Sequence, residues 1–74
     1  MVYEYYRLKV FGKSHTEGYM FRVINNSKIT YYIKAPNEDL EVNTNHNPRN
    51  TRMFRFAGYT SKEKFEQHIF LDSI

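Results

Sequence analysis

Cysteine is absent from this chain, glycine and proline are scarce (three and two in 74 residues), and no long apolar run occurs. Each absence excludes something. Without cysteine, neither a disulfide nor a thiolate–zinc site can staple the domain, so its core must hold it together. A chain of this length buries only roughly 60% of the surface its unfolded form exposes. No stretch approaches the ~20 apolar residues of a membrane-spanning helix. No basic segment followed by an apolar one opens the sequence, so the expectation is a cytoplasmic protein without a secretory signal. A glycine-rich phosphate loop, a nucleophile elbow and His/Asp/Glu clusters at ligand spacing are all missing, so neither cofactor nor metal is expected. Neither repeat nor linker divides residues 1–74, which read as a single domain.

Aromatic residues are plentiful. Seven Tyr and six Phe can build a small core efficiently, because each buries a large area. The formal charge is +3 and the isoelectric point about 9.3, a basicity that permits a nucleic-acid partner without requiring one. Asn, Lys, Ile, Tyr and Phe are abundant while Gly, Ala and Pro are few. That composition is common in AT-rich genomes and small phage genes, which links it by association to compact inhibitors of host machinery.

The pattern along the chain is that of short strands followed by one helix. Residues 2–11 alternate as a strand, ended by Gly12 and the polar run that follows. YMFRVI (19–24) and KITYYIKA (28–35) are the second and third strands, with Asn25-Asn26 as a tight hairpin turn between them. Pro36-Asn37-Glu38 turns the chain into LEVN (40–43), and the apolar-free stretch 43–50 is an exposed loop. RMFRFA (52–57) is the fifth strand, broken by Gly58. Thr60 and Glu63 have the spacing of a capping box, and from Ser61 a helix of about three turns places Phe65 and Ile69 on one face. Such a helix must pack on the sheet to be stable. The expected fold is α+β, a small twisted, mostly antiparallel sheet of about five strands with one C-terminal helix, or a half-open barrel as its variant.

Alternation splits each strand into two rows. The rows less suited to a core carry cations, and in two strands tyrosines as well. If they share a face, the sheet presents Tyr3, Tyr5, Arg7, Lys9, Arg22, Lys28, Tyr32, Lys34 and Arg55 to solvent. The complementary rows, among them Tyr6, Tyr19, Phe21, Tyr31, Phe54 and Phe56, are expected in the core. A single helix cannot cover both faces, which is why the tyrosine/cation face is expected to be free. Cross-strand Tyr and Lys pairs also occur on solvent faces with no ligand, and cations there deter edge-to-edge aggregation.

A face of tyrosine and arginine suits a protein partner, since both residues supply large contact area with a polar handle. The leading expectation is therefore a non-enzymatic regulatory or inhibitory protein that binds another protein or a nucleoprotein complex. The contact would use that face together with Arg49 and Arg52 of the 43–52 segment. The alternative is direct binding of RNA or single-stranded DNA, with bases stacked on Tyr3, Tyr5 and Tyr32 and phosphates met by the cations. The acidic group Glu38, Asp39 and Glu41 opposes a phosphate backbone passing close by. A metal-independent ribonuclease is third, because His15, His46 and His68 could supply acid–base groups but nothing in their spacing unites them. A homodimer paired through the edge of the first strand is also open.

Overall fold

The structure, a computed structural model, describes residues 1–9, 18–36, 38–44 and 51–73. Five strands form one antiparallel sheet: β1 (Val2–Leu8), β2 (Tyr19–Asn25), β3 (Lys28–Lys34), β4 (Glu41–Asn43) and β5 (Phe54–Tyr59). A short 3-10 turn (Thr51–Met53) leads into β5, and the helix α1 (Lys62–Ser73) follows. The spatial order is β4-β3-β2-β1-β5, so the sheet stays open at two edges and does not close into a barrel. β1 is an interior strand between β2 and β5, which leaves it no edge for pairing with a second copy. Among the described residues no helix is long and apolar enough to cross a membrane.

Local chemistry sets the boundaries, and some differ from the expected ones. β2 and β3 consist largely of aromatic and β-branched residues and pair along their whole length, from Tyr19 opposite Lys34 to Asn25 opposite Lys28. The turn between them is Asn26-Ser27, one residue later than expected, with Asn26 at φ 59°, a region asparagine tolerates. β1 ends at Leu8, short of the expected Phe11, and residues 10–17 lie outside the described part. Gly18 brings β2 against the end of β3 so closely that a Cβ there would run into the Lys34 carbonyl oxygen.

The expected strand break at Gly58 does not occur. Tyr6 pairs with Phe56 but Tyr5 pairs with Gly58, so Ala57 is an extra residue and the strand continues through a bulge to Tyr59. Gly58 takes φ 137°, a conformation open in practice to glycine alone. The helix start also shifts by one. Thr60 donates its backbone N–H to the Tyr3 carbonyl and so completes the β1–β5 ladder. Ser61 caps the helix, its Oγ accepting from the Lys64 N–H at 3.2 Å. Because Lys64 occupies the place where a capping box has Glu or Gln, no reciprocal bond closes the box.

Strand register assigns every side chain to a face, since residues directly opposite one another point the same way. Tyr3, Tyr5 and Arg7 share a face with Tyr19, Phe21 and Val23, and with Thr30, Tyr32 and Lys34. α1 lies on that face. Phe65 meets Tyr3 at 5.1 Å, Phe21 at 5.1 Å and Tyr32 at 4.9 Å between ring centroids, and Ile69 joins the same cluster. Phe21 at its centre is 0% exposed. The opposite face has a cluster of its own, formed by buried Met20, Ile33 and Phe54 with Tyr6, Leu8, Tyr31 and Met53 around them.

Candidate partner-binding surface

Register overturns the expectation of one free tyrosine/cation face. Tyr3, Tyr5 and Tyr32 lie half-buried beneath α1, in contact with Phe65, Phe21 or His68. They are part of the core, and bases cannot stack on rings already covered by a helix. Arg22 is on the other face, opposite Glu4 on one side and Tyr31 on the other. The rows of β1 and β3 that carry Tyr and cations share their face with the apolar row of β2, not with its Arg22 row.

The remaining cations are dispersed. Arg7 and Arg55 are direct cross-strand neighbours, both exposed, on the face that carries α1. Lys34 stands at the other end of the same row, past Tyr19, and its Nζ donates to the Ala35 carbonyl at 3.2 Å. Lys28 is exposed at the start of β3. Lys9 follows β1 and donates its backbone N–H to the Met53 carbonyl at 2.8 Å, and Arg52 is exposed in the 3-10 turn. Arg49 lies outside the described residues, as do His15 and His46. His68 is half-buried in an aromatic cage, with Tyr5, Tyr19 and Phe21 at 5.6, 5.0 and 5.3 Å. The Tyr19 hydroxyl donates to its backbone carbonyl, a contact that fixes helix to sheet. No group of three or more His, Cys, Asp and Glu at metal-binding proximity occurs among the described residues.

Phe70 of α1 is exposed as a single ring, whereas exposed rings stand side by side on the helix-free face where β5 meets β1. Phe56 is 50% exposed and Tyr59 73% exposed. The bulge at Ala57 is what joins them. Without it, Phe56 and Tyr59, three residues apart, would point to opposite faces. With it, Phe56 pairs with Tyr6 and Tyr59 with Glu4, both on the helix-free face. Phe56 then packs edge-on against Tyr6 at 5.5 Å and against Tyr59 at 5.3 Å, forming a continuous aromatic strip at the sheet margin.

A polar clip fixes the strip from the inside. Glu4 Oε1 accepts from the Tyr6 hydroxyl at 2.9 Å and from Arg22 Nη1 at 2.8 Å. The Glu4 side chain is 14% exposed and that of Arg22 31%, so this pair is better shielded than a surface ion pair. Burial, and then the bond to the Glu4 carboxylate, raise the Tyr6 hydroxyl above its usual pKa of 10.0 and keep it a donor. The bonds to Glu4 and then Tyr31 push the Arg22 guanidinium still higher, so its charge is permanent.

Alternation alone places Phe56 and Tyr6 in the core and gives Tyr59 no role. A glycine inside a strand pattern is a recognised sign of a bulge, and Gly58 was the available signal. Comparison with known protein families, curated proteins and solved structures finds no match.

Proposed function

We propose that this protein is a small cytoplasmic, non-enzymatic binding module that regulates or inhibits a protein or nucleoprotein partner through the helix-free margin formed by Tyr6, Phe56 and Tyr59. The observation that carries the reading is the exposure of two large aromatic rings, Phe56 and Tyr59, side by side on an edge strand and backed by Tyr6. Isolated exposed apolar residues are ordinary, whereas a contiguous aromatic patch on a small domain is the usual mark of an interaction site. The Glu4–Arg22–Tyr6 clip supports it by holding the inner part of the patch rigid, which lowers the entropic cost of binding.

The exposed pair Arg7 and Arg55 supports a second reading, direct binding of RNA or single-stranded DNA, with stacking on Phe56 and Tyr59 in place of the covered tyrosines. One pair of measurements separates the two. The immobilised chain and its Phe56→Ala and Tyr59→Ala variants are compared for capture of a partner from lysate treated with nuclease, and labelled single-stranded RNA is titrated at low and physiological salt. The protein reading expects capture that survives nuclease, falls at least about tenfold in either variant and tolerates Arg7→Ala. Steep loss of RNA affinity with salt, together with sensitivity to Arg7→Ala, would transfer the assignment to nucleic acid.

A further inference from the structure

The two edges of the sheet are unlike. β4 is three residues long, and the Glu41 carboxylate accepts from the Asn43 side chain at 3.0 Å. β5 runs six residues, and among the described residues its strand neighbour is β1 alone. Its first residue, Phe54, is buried, so the open part of this edge lies further along, from Phe56 to Tyr59. Two backbone hydrogen bonds fix the direction of the groups there. Lys9 donates to the Met53 carbonyl just before β5, and Thr60 donates to the Tyr3 carbonyl just after it. Alternate residues of an antiparallel strand bond to the neighbouring strand. Counting from Met53, Arg55 and Ala57 face β1, and counting back from Thr60, Gly58 does so too. The counts meet at the bulge, which places two inward residues in succession. Phe56 and Tyr59 therefore turn their N–H and C=O groups outward three residues apart instead of two.

That interval selects the occupant. An ordinary extended strand presents its bonding groups at every second residue, so it can satisfy Phe56 or Tyr59 but not both. A strand with the same bulge can satisfy both. We propose that β5 pairs with β5 of a second copy of this chain, about a two-fold axis passing between Ala57 and Gly58. Phe56 of each copy then bonds Tyr59 of the other, closing four main-chain hydrogen bonds in an isologous interface. Residues directly opposite one another point the same way. Each Phe56 ring thus gains Tyr59 of the second copy across the seam while keeping its own Tyr6 on the inner side. Solvent-exposed edge strands are normally guarded by charge, proline or a bulge. The segment Phe56–Tyr59 has neither charge nor proline, and its bulge turns away regular strands while admitting its own copy.

The pairing goes beyond the binding reading above and does not need it. Its consequence does rest on that reading. The partner surface becomes a joint one, with Tyr6, Phe56 and Tyr59 of both copies in a single strip on the helix-free face. Four hydrogen bonds and two ring contacts make a small interface, so the association is weak and concentration-dependent.

The test is sedimentation equilibrium of the full chain from about 10 μM to about 1 mM, with amide exchange of 15N-labelled protein over the same range. The expected result is a rise from the mass of one chain towards that of two. Exchange at Phe56 and Tyr59 slows by about tenfold or more as the mass rises. Ala57, exposed and next to the axis, supplies the decisive variants. Ala57→Lys and Ala57→Glu should each remain a single chain, because like charges meet at the axis, and an equimolar mixture should recover the dimer. A single-chain mass at every concentration would overturn the pairing. So would a dimer whose protected amides lie in β4, or one that both variants leave intact. Partner capture is read separately with Phe56→Ala and Tyr59→Ala. A single chain that still captures its partner overturns the pairing alone, whereas a dimer whose capture ignores both substitutions overturns the aromatic binding surface alone.

Discussion

The two faces of the sheet both have apolar centres, but their margins are finished in different ways. Beneath α1, Tyr3, Tyr32 and Phe21 meet Phe65, and His68 fills the space among Tyr5, Tyr19 and Phe21. On the opposite face Met20, Ile33 and Phe54 are buried, yet the surface towards β5 ends in the exposed rings of Phe56 and Tyr59. Aromatic content therefore does not distinguish core from binding surface in this molecule. What distinguishes them is whether another element of the same chain covers the rings. The helix does so on one side, while the bulge on the other collects rings that nothing among the described residues covers.

The largest expected difference between the faces comes from truncating one phenylalanine on each. Phe21→Ala should cost about 3–5 kcal/mol of stability in urea unfolding, because the ring is fully enclosed and the cavity cannot collapse against a rigid sheet. Phe56→Ala should cost about 1 kcal/mol or less, the scale of its edge-on contacts with Tyr6 and Tyr59, while reducing partner capture. Equal costs at the two positions would erase the distinction between the faces.

Next in size is Glu4→Ala. It removes the acceptor shared by Tyr6 and Arg22 and strands a part-buried guanidinium, for about 1–2 kcal/mol after allowing for solvent screening. A null effect on both stability and capture would mean that the clip does not organise the aromatic strip. Ser61→Ala, at the start of the covering helix, should cost about 1 kcal/mol and loosen exchange in α1 while leaving β5 unaffected. The smallest effect concerns pH. Because the Tyr6 pKa is raised in the folded protein, the neutral phenol's contribution is complete below about pH 10 and declines as pH rises through the folded value. Alkaline unfolding curves of the native chain and of Tyr6→Phe should converge across that interval, and a constant separation between them would deny the bond to Glu4 any part in stability.

Much of the fold was legible because it depends on local signals. Alternation, β-branched and aromatic runs and turn residues located the five strands, and the spacing of Phe65 and Ile69 identified the buried side of α1. Misplaced boundaries came from competition among neighbours of similar chemistry. Thr60 and Ser61 are both capable caps, and Thr60 is taken by its ladder bond to Tyr3. The candidate site was less legible. Tyr3, Tyr5 and Tyr32 have the same composition whether they face water or Phe65, and nothing in one strand's alternation states which row of the next strand lies beside it.

By itself, then, the sequence determined the element types, the two-row division of β1, β2 and β3 and the identity of the covering helix, since each follows from interactions within a few residues. Tertiary structure alone decided which rows share a face, that β1 is interior and β5 an edge, and that the one-residue slip at Ala57 brings Phe56 and Tyr59 together. Those outcomes depend on pairings between residues distant in the chain. A shift of one position in such a pairing exchanges inside for outside without altering any local preference.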